Sequence, residues 1–263
     1  PLKRDTNRLI FGGTMLQVRN ERGTLVYSKI KSKEASEKIV YNTLTVPVRE
    51  RFQLVLADGT KVFLNSGSEM RYPERFGKAR REVFLKGEAW FEVAKDSARE
   101  FWVHAGAMDV KVLGTSFNVK AYERLETVAT TLVEGSVEGA CAGKSFQIVP
   151  GEQFVYDKNN RVMDVRMVDT ESYVSWKDGY YKFRQTTLEE IMETLSVWYG
   201  LNVFYVNESA KQVEFTGKVR RYEDARMLLD KFEQTGDVVF DIKGNNVFIT
   251  IKQKKPFARE WNS

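Results

Sequence analysis

Between about Val46 and Val168, apolar and polar residues alternate in short runs, and most runs end near a glycine or proline. This constrains the fold more than any other feature. Residues two apart share one face of a strand, whereas a helix needs a period of about 3.6. Phe52, Leu54 and Leu56 alternate, Asp58-Gly59 interrupts them, and Val62 and Leu64 resume the pattern. An Asp-Gly pair between alternating runs predicts a hairpin, because a two-residue type I′ turn needs positive φ at both central positions. Further runs cover 82–85, 89–93, 101–104, 110–113, 117–122, 128–133, 146–149 and 153–156. Turn residues separate them: Gly77, Gly87, Gly106, Gly114, Gly135, Gly143 and Pro150-Gly151. Short strands with such punctuation predict an all-β sandwich or a solenoid-like stack over residues 46–170.

After about Asp169 the period changes. Thr187-Leu188-Glu189-Glu190 has the spacing of a capping box, in which the Thr side chain caps the Glu190 amide. Leu188, Ile191, Met192, Leu195 and Trp198 then fall on one helical face, with Gly200 as the stop. Ala225, Leu228, Leu229 and Phe232 mark a second amphipathic helix, with Gly236 as its stop. Strands are expected at 201–206, 213–219, 238–242 and 247–251. Gly200-Leu201-Asn202-Val203-Phe204-Tyr205-Val206 echoes Gly236-Asp237-Val238-Val239-Phe240-Asp241-Ile242, so two β-α-β units repeat about 36 residues apart. Residues 171–252 therefore read as a small α+β domain with its helices on one sheet face. The chain as a whole reads as mainly β. Residues 1–45 form a connecting segment with room for edge strands at Leu25–Ile30 and Ile39–Leu44, and 253–263 form a tail.

Composition narrows the chemistry. The 263 residues are 42% hydrophobic, enough for a substantial core, and the net charge is only +5. Basic clusters are short: Lys78-Ala79-Arg80-Arg81, Lys218-Val219-Arg220-Arg221 and Lys252-Gln253-Lys254-Lys255. They read as solvated faces and a ragged tail, which argues against a nucleic-acid partner. The single cysteine, Cys141, rules out an intrachain disulfide, and with one histidine the usual zinc or iron ligand sets are missing. A catalytic triad would have to use His104, which lies in the strand-like run Phe101-Trp102-Val103-His104 with no nucleophile motif nearby. No apolar stretch reaches the ~20 residues of a membrane span, and no signal-peptide pattern opens the chain. Beginning at Pro1, it reads as a piece of a longer protein. Phe11-Gly12-Gly13-Thr14 and Gly114-Thr115-Ser116 lack the lysine and helix of a phosphate-binding loop.

Two weaker patterns remain. Glu88 and Glu92 flank Trp90-Phe91 and share one face of a strand, the arrangement a glycosidase would need, although polar residues alternating on a half-exposed strand look the same. Trp176, Tyr180 and Tyr181 could stack on a sugar or pack at a domain junction. Trp198-Tyr199 at a helix end reads as core.

Four strings matter most together: Leu56-Ala57-Asp58-Gly59-Thr60-Lys61-Val62-Phe63-Leu64-Asn65, Gly87-Glu88-Ala89-Trp90-Phe91-Glu92-Val93, Val112-Leu113-Gly114-Thr115-Ser116-Phe117-Asn118-Val119 and Leu132-Val133-Glu134-Gly135-Ser136-Val137. In this order, continued by Pro150-Gly151-Glu152-Gln153 and Trp176-Lys177-Asp178-Gly179, the chain resembles the FecR family of anti-sigma factors or sigma regulators over residues 45–252. The carboxy-terminal repeat resembles the short secretin/TonB amino-terminal type of domain. The resemblance implies the periplasmic part of a protein that crosses the inner membrane once, with the cytoplasmic segment and the span lying upstream of this chain. The implied partners are the signalling domain of a TonB-dependent outer-membrane transporter and, through the cytoplasmic segment, an extracytoplasmic-function sigma factor. It implies no catalytic residue, cofactor or metal.

The expected contact surface lies near Phe215, Lys218, Arg220 and Arg221, where apolar and basic residues meet at a strand end. In the plainer alternative, Phe215 belongs to the core and the basic residues are only solvated. A periplasmic carbohydrate-binding module is the alternative function, and a hydrolase built on Glu88 and Glu92 a third.

Overall fold

The computed structural model describes residues 8–12, 16–21, 24–29, 39–221, 224–235 and 237–252. The chain divides into two compact units, Pro1–Lys182 and Phe183–Ser263.

The first unit is a β-sandwich. Its strands are β1 (Arg8–Gly12), β2 (Leu16–Glu21), β3 (Thr24–Lys29), β4 (Tyr41–Thr45), β5 (Phe52–Val55), β6 (Lys61–Leu64), β7 (Glu69–Pro73) and β8 (Arg81–Glu92). Then follow β9 (Phe101–Ala105), β10 (Met108–Val112), β11 (Ser116–Ala121), β12 (Thr127–Glu134), β13 (Val137–Cys141), β14 (Lys144–Ile148), β15 (Glu152–Asp157) and β16 (Val162–Met167). One layer has the order β1-β2-β3-β5-β6-β8-β11-β12-β15-β16. The other runs β4-β7-β8-β9-β10-β13-β14. Strands β3 and β4 lie where edge strands were expected, with Ile30 outside the described residues. Among the described residues β4 pairs only with β7 and is an edge, whereas β3 is interior, between β2 and β5.

Both layers contain β8. Its first half pairs with β7 and β9, and its second half with β6 and β11. The sequence suggested two strands separated by a turn at Gly87. The structure has one 12-residue strand that changes layers near that glycine. Gly87 sits at φ 104°, and a Cβ there would lie 2.5 Å from Ser68 Oγ, so the strand bends here because the residue has no side chain. Between the layers, Val83, Phe101, Val103 and Phe146 meet Leu54, Val62, Phe91, Phe117 and Phe154 in one buried cluster. Phe146 stacks on Phe154 with centroids 3.8 Å apart, and Phe91 meets Phe101 edge-on at 6.1 Å. These contacts across the gap make it a sandwich rather than a solenoid.

The expected hairpin at Asp58-Gly59 is present, but only Gly59 of the pair has positive φ (90°). The Leu56 amide donates to the Thr60 carbonyl, so the loop is the three residues 57–59 and not the expected two-residue type I′ turn. It is doubly tied. The Thr60 amide donates to Asp58 Oδ1 at 3.0 Å, and the Thr60 hydroxyl to Oδ2 at 2.8 Å. Helix α1 (Thr170–Val174), capped by Asp169, and a 3-10 turn at Ser175–Asp178 follow the sandwich.

The α+β part contains β17 (Tyr180–Thr187), α2 (Leu188–Tyr199), β18 (Asn202–Tyr205), β19 (Glu214–Arg220), α3 (Ala225–Thr235), β20 (Val238–Lys243) and β21 (Asn246–Ile251). The Thr187 hydroxyl accepts from the Glu190 amide, and Gly200 closes α2 in the left-handed region at φ 69°. Gly236 lies outside the described residues. The two repeats are β17-α2-β18 and β19-α3-β20. Their first strands pair with each other, while the second strands flank β21, parallel to β18 and antiparallel to β20. Leu188, Ile191, Leu195, Leu228 and Leu229 bury the expected helix faces, with Val238, Phe240, Val247 and Ile249 buried on the strands.

Candidate partner-contact surface

The pair Glu88 and Glu92 is the first place where catalysis could sit. Strand alternation puts Glu88 on the outer face of its layer, yet the side chain is buried. Asn65 Nδ2 donates to Glu88 Oε2 at 2.8 Å, and Asn118 Nδ2 donates to Oε1 at 2.9 Å. Trp176 Nε1, in turn, donates to Asn118 Oδ1 at 3.3 Å. The Tyr122 hydroxyl donates to the Ser66 carbonyl at 2.8 Å, and the Ser68 hydroxyl interacts with the backbone of Glu88. Burial pushes the Glu88 carboxyl above its ordinary value, partly offset by the Lys120 charge and the two amide donors. Both oxygens are thus engaged by amides, as in a structural network that satisfies a buried charge. Glu92 faces Lys61 at 3.5 Å and accepts from Trp90 Nε1 at 3.2 Å.

The aromatic motif around Trp176 belongs to the same network. Trp176 is buried, Tyr181 is buried and Tyr180 half-buried, so this segment does not offer the open platform that sugar stacking requires. Lys177 extends over the Trp90 ring, 5.8 Å from its centroid, and its carbonyl accepts from Arg51 Nη1. Residues 175–178 therefore clasp the outer face of one sandwich layer.

His104 is half-buried, stacks on Phe84 at 4.9 Å, and shares a 2.7 Å hydrogen bond with Asp109. Its surroundings are carboxylates and rings rather than a nucleophile. Cys141 is buried, and desolvation, with Asp109 nearby, pushes its thiol up to about 11. Among the described residues, no group of three His, Cys, Asp or Glu side chains is placed to hold a metal ion. No described helix is long and apolar enough to cross a membrane.

The α+β unit carries the expected contact residues, and they divide between core and surface. Phe215 on β19 is buried and meets Phe232 edge-on at 4.9 Å, and Phe183 also contacts Phe232, at 5.9 Å. Its ring helps hold α3 to the sheet and does not face solvent. Lys218 and Arg220 are exposed on the same strand. Arg221 lies 3.5 Å over the Trp198 ring, a cation–π contact that fixes its guanidinium. Among the described residues β19 pairs only with β17, which leaves its other edge open.

The sequence reading missed one apolar surface. Phe204 and Phe248, paired across β18 and β21, stack at 5.1 Å on the solvent side of the three-stranded sheet, beside exposed Val239. The signal was the phase of the alternation: Val203 and Val247 point inward, so the phenylalanines beside them point out.

Comparison with known proteins agrees with this architecture. Residues 42–138 match the family model for the FecR protein, and residues 180–249 match that for the FecR C-terminal domain. Together the two matches span more than half of the chain. A candidate anti-sigma factor from Parabacteroides distasonis ATCC 8503, known from a crystal structure at 1.65 Å, superposes with a TM-score of 0.73 at 27% identity, covering 81% of this chain and 100% of that one. A second crystal structure described in the same words, at 2.50 Å, gives a TM-score of 0.72 with the same identity and coverage. A search of curated proteins returns no match. With both domain models matched in order and the sandwich and α+β unit shared with a solved relative, the chain belongs to the FecR family of anti-sigma factors.

Proposed function

We propose that this chain is the periplasmic signalling part of a transmembrane anti-sigma factor. It relays the state of a TonB-dependent outer-membrane transporter to an extracytoplasmic-function sigma factor through protein contacts alone. In this reading a cytoplasmic segment holds the sigma factor, and the role of this part in the relay is to receive the signal. The reading is non-enzymatic, supported by a Glu88 carboxylate whose oxygens are both engaged by amides.

The observation that carries the proposal is the open edge of β19. An edge strand accepts a partner strand by backbone hydrogen bonds, and charged side chains along it select that partner. Exposed Lys218 and Arg220 make the edge suited to an acidic strand on the transporter's signalling domain. Phe215 contributes from beneath by fixing the strand on α3, and Arg221 by its seat on Trp198.

Calorimetric titration of this chain with the signalling domain of the transporter encoded beside its gene tests the reading. Wild type should bind. Lys218→Glu combined with Arg220→Glu should weaken binding tenfold or more, roughly the cost of two like-charge contacts. An absence of wild-type binding would overturn the proposal, and unchanged affinity in the variant would remove β19 as the contact.

A further inference from the structure

Strand β16 forms an edge of the longer sandwich layer and, among the described residues, pairs only with β15. Its sequence, Val162-Met163-Asp164-Val165-Arg166-Met167, contains no proline or lysine, the residues that commonly protect such edges. The Val168 amide donates to the Gly151 carbonyl. Backbone groups alternate along an antiparallel strand, so 162, 164, 166 and 168 face β15, while Met163, Val165 and Met167 aim their amides and carbonyls at the open side. The register with β15 places Val165 opposite core residue Phe154, so Met163, Val165 and Met167 also share the apolar face of the layer. That face is uncovered at the edge: Val165 is 43% exposed and Met167 70%.

The order of residues on this edge is self-complementary. In an antiparallel pairing of two copies centred on Val165, Val165 meets Val165, and Met163 meets Met167 in both directions. All three pairs are of the hydrogen-bonded type, because these residues carry the outward-facing backbone groups. On the opposite face the same register sets Asp164 across from Arg166 of the second copy, twice. Both residues are exposed, and opposite charges directly across a ladder stabilise it.

The geometry points to β16 as a homodimerisation edge. Two copies of this chain would join their long layers into one continuous sheet about a two-fold axis midway between the two Val165 residues, an isologous interface. The partner is a second copy because apolar strip, backbone donors and charges are all matched by the same strand reversed. The inference is independent of the transporter reading.

Sedimentation velocity of the full 263-residue chain over a wide concentration range provides the test. Wild type should show a monomer–dimer equilibrium. Asp164→Arg, which sets arginine against arginine twice, should weaken dimerisation about tenfold, and the double swap Asp164→Arg with Arg166→Asp should restore it. Mild oxidation of Val165→Cys should yield a covalent dimer, since Cα atoms in such a pair lie about 5.5 Å apart, within disulfide reach. Wild type, whose Cys141 is buried, should not cross-link. Thermal melts confirm that each variant is folded. A monomeric wild type, unchanged dimerisation in Asp164→Arg, failure of the double swap to restore it, or absence of a Val165→Cys cross-link would each overturn the proposal.

Discussion

The indole N–H of Trp176 donates to the side-chain oxygen of Asn118, 58 residues earlier, at 3.3 Å, and the Asn118 amide donates onward to Glu88 at 2.9 Å. Three residues far apart in sequence thus share one proton-donating direction, from the clasp into the sandwich. The clasp is held by ring burial as well as by this bond, and the two contributions separate by mutation. Trp176→Phe keeps most of the buried area and loses the donor, so it should cost about 1 kcal/mol. Trp176→Ala should cost about 3–5 kcal/mol by opening a cavity as well. Urea denaturation followed by circular dichroism measures both, and equal costs would show that the hydrogen bond dominates.

Glu88 makes the stability of the sandwich depend on pH in a direction opposite to that of a carboxylate held in its charged form by a cation. Its carboxyl is raised above the ordinary 4.5 in the folded chain, chiefly by desolvation. The folded state therefore holds the proton more tightly than the unfolded state. The resulting stabilisation is complete below the unfolded value and is lost as pH rises through the folded one. Wild type should gain stability relative to Glu88→Gln as pH is lowered towards 4.5. Thermal melts of the two proteins across that range provide the comparison, and a constant difference would show that the carboxyl is unperturbed.

Asp58 and Arg81 form a buried ion pair at 2.8 Å, and Arg81 is fully enclosed. The guanidinium also donates to the carbonyls of Ala94 and Arg99, at 2.8 and 2.9 Å. Removing the acid leaves a cation with no counter-charge, so Asp58→Ala should destabilise by about 3–5 kcal/mol. Asp58→Asn, which can still accept from Thr60 and Arg81, should cost less. Chemical denaturation of both variants distinguishes this from simple loss of the turn, for which the two costs would be similar.

Phe215 and Arg220 lie on one strand but should respond to substitution in opposite ways. Phe215→Ala removes a ring packed against Phe232 and should destabilise the α+β unit by about 3–5 kcal/mol. Arg220→Glu is exposed and should change stability by less than about 0.5 kcal/mol. Tryptophan fluorescence during denaturation reports the difference through Trp198, which lies in this unit.

Local signals in the sequence reached much of this fold. Asp58-Gly59 marks its hairpin because Gly59 supplies the one left-handed residue that the short loop over 57–59 needs, and Thr187 to Glu190 specifies a helix start within four residues. Arg81 was harder to read. It ends a basic run and looks solvated, yet it has the parity of Val83 and Leu85, which point inward; its acid, Asp58, comes 23 residues earlier. Glu88 has the parity of an outward residue yet is buried, its oxygens held by Asn65 and Asn118, the second of which is tied to Trp176 from much farther along the chain. Alternation reports which side of a strand a residue occupies, not what later covers that side. The same limit applies to Phe215: its basic neighbours suggest a surface, whereas its partner Phe232 belongs to the next helix.

The layer change within β8 bears on how the sandwich comes apart. A single strand hydrogen-bonded to four neighbours, two in each layer, prevents either layer from melting while the other survives. Amide exchange along Arg81–Glu92 should therefore require global opening and rank among the slowest in the first unit. Whatever force or partner acts on one layer, its twin must yield at the same moment.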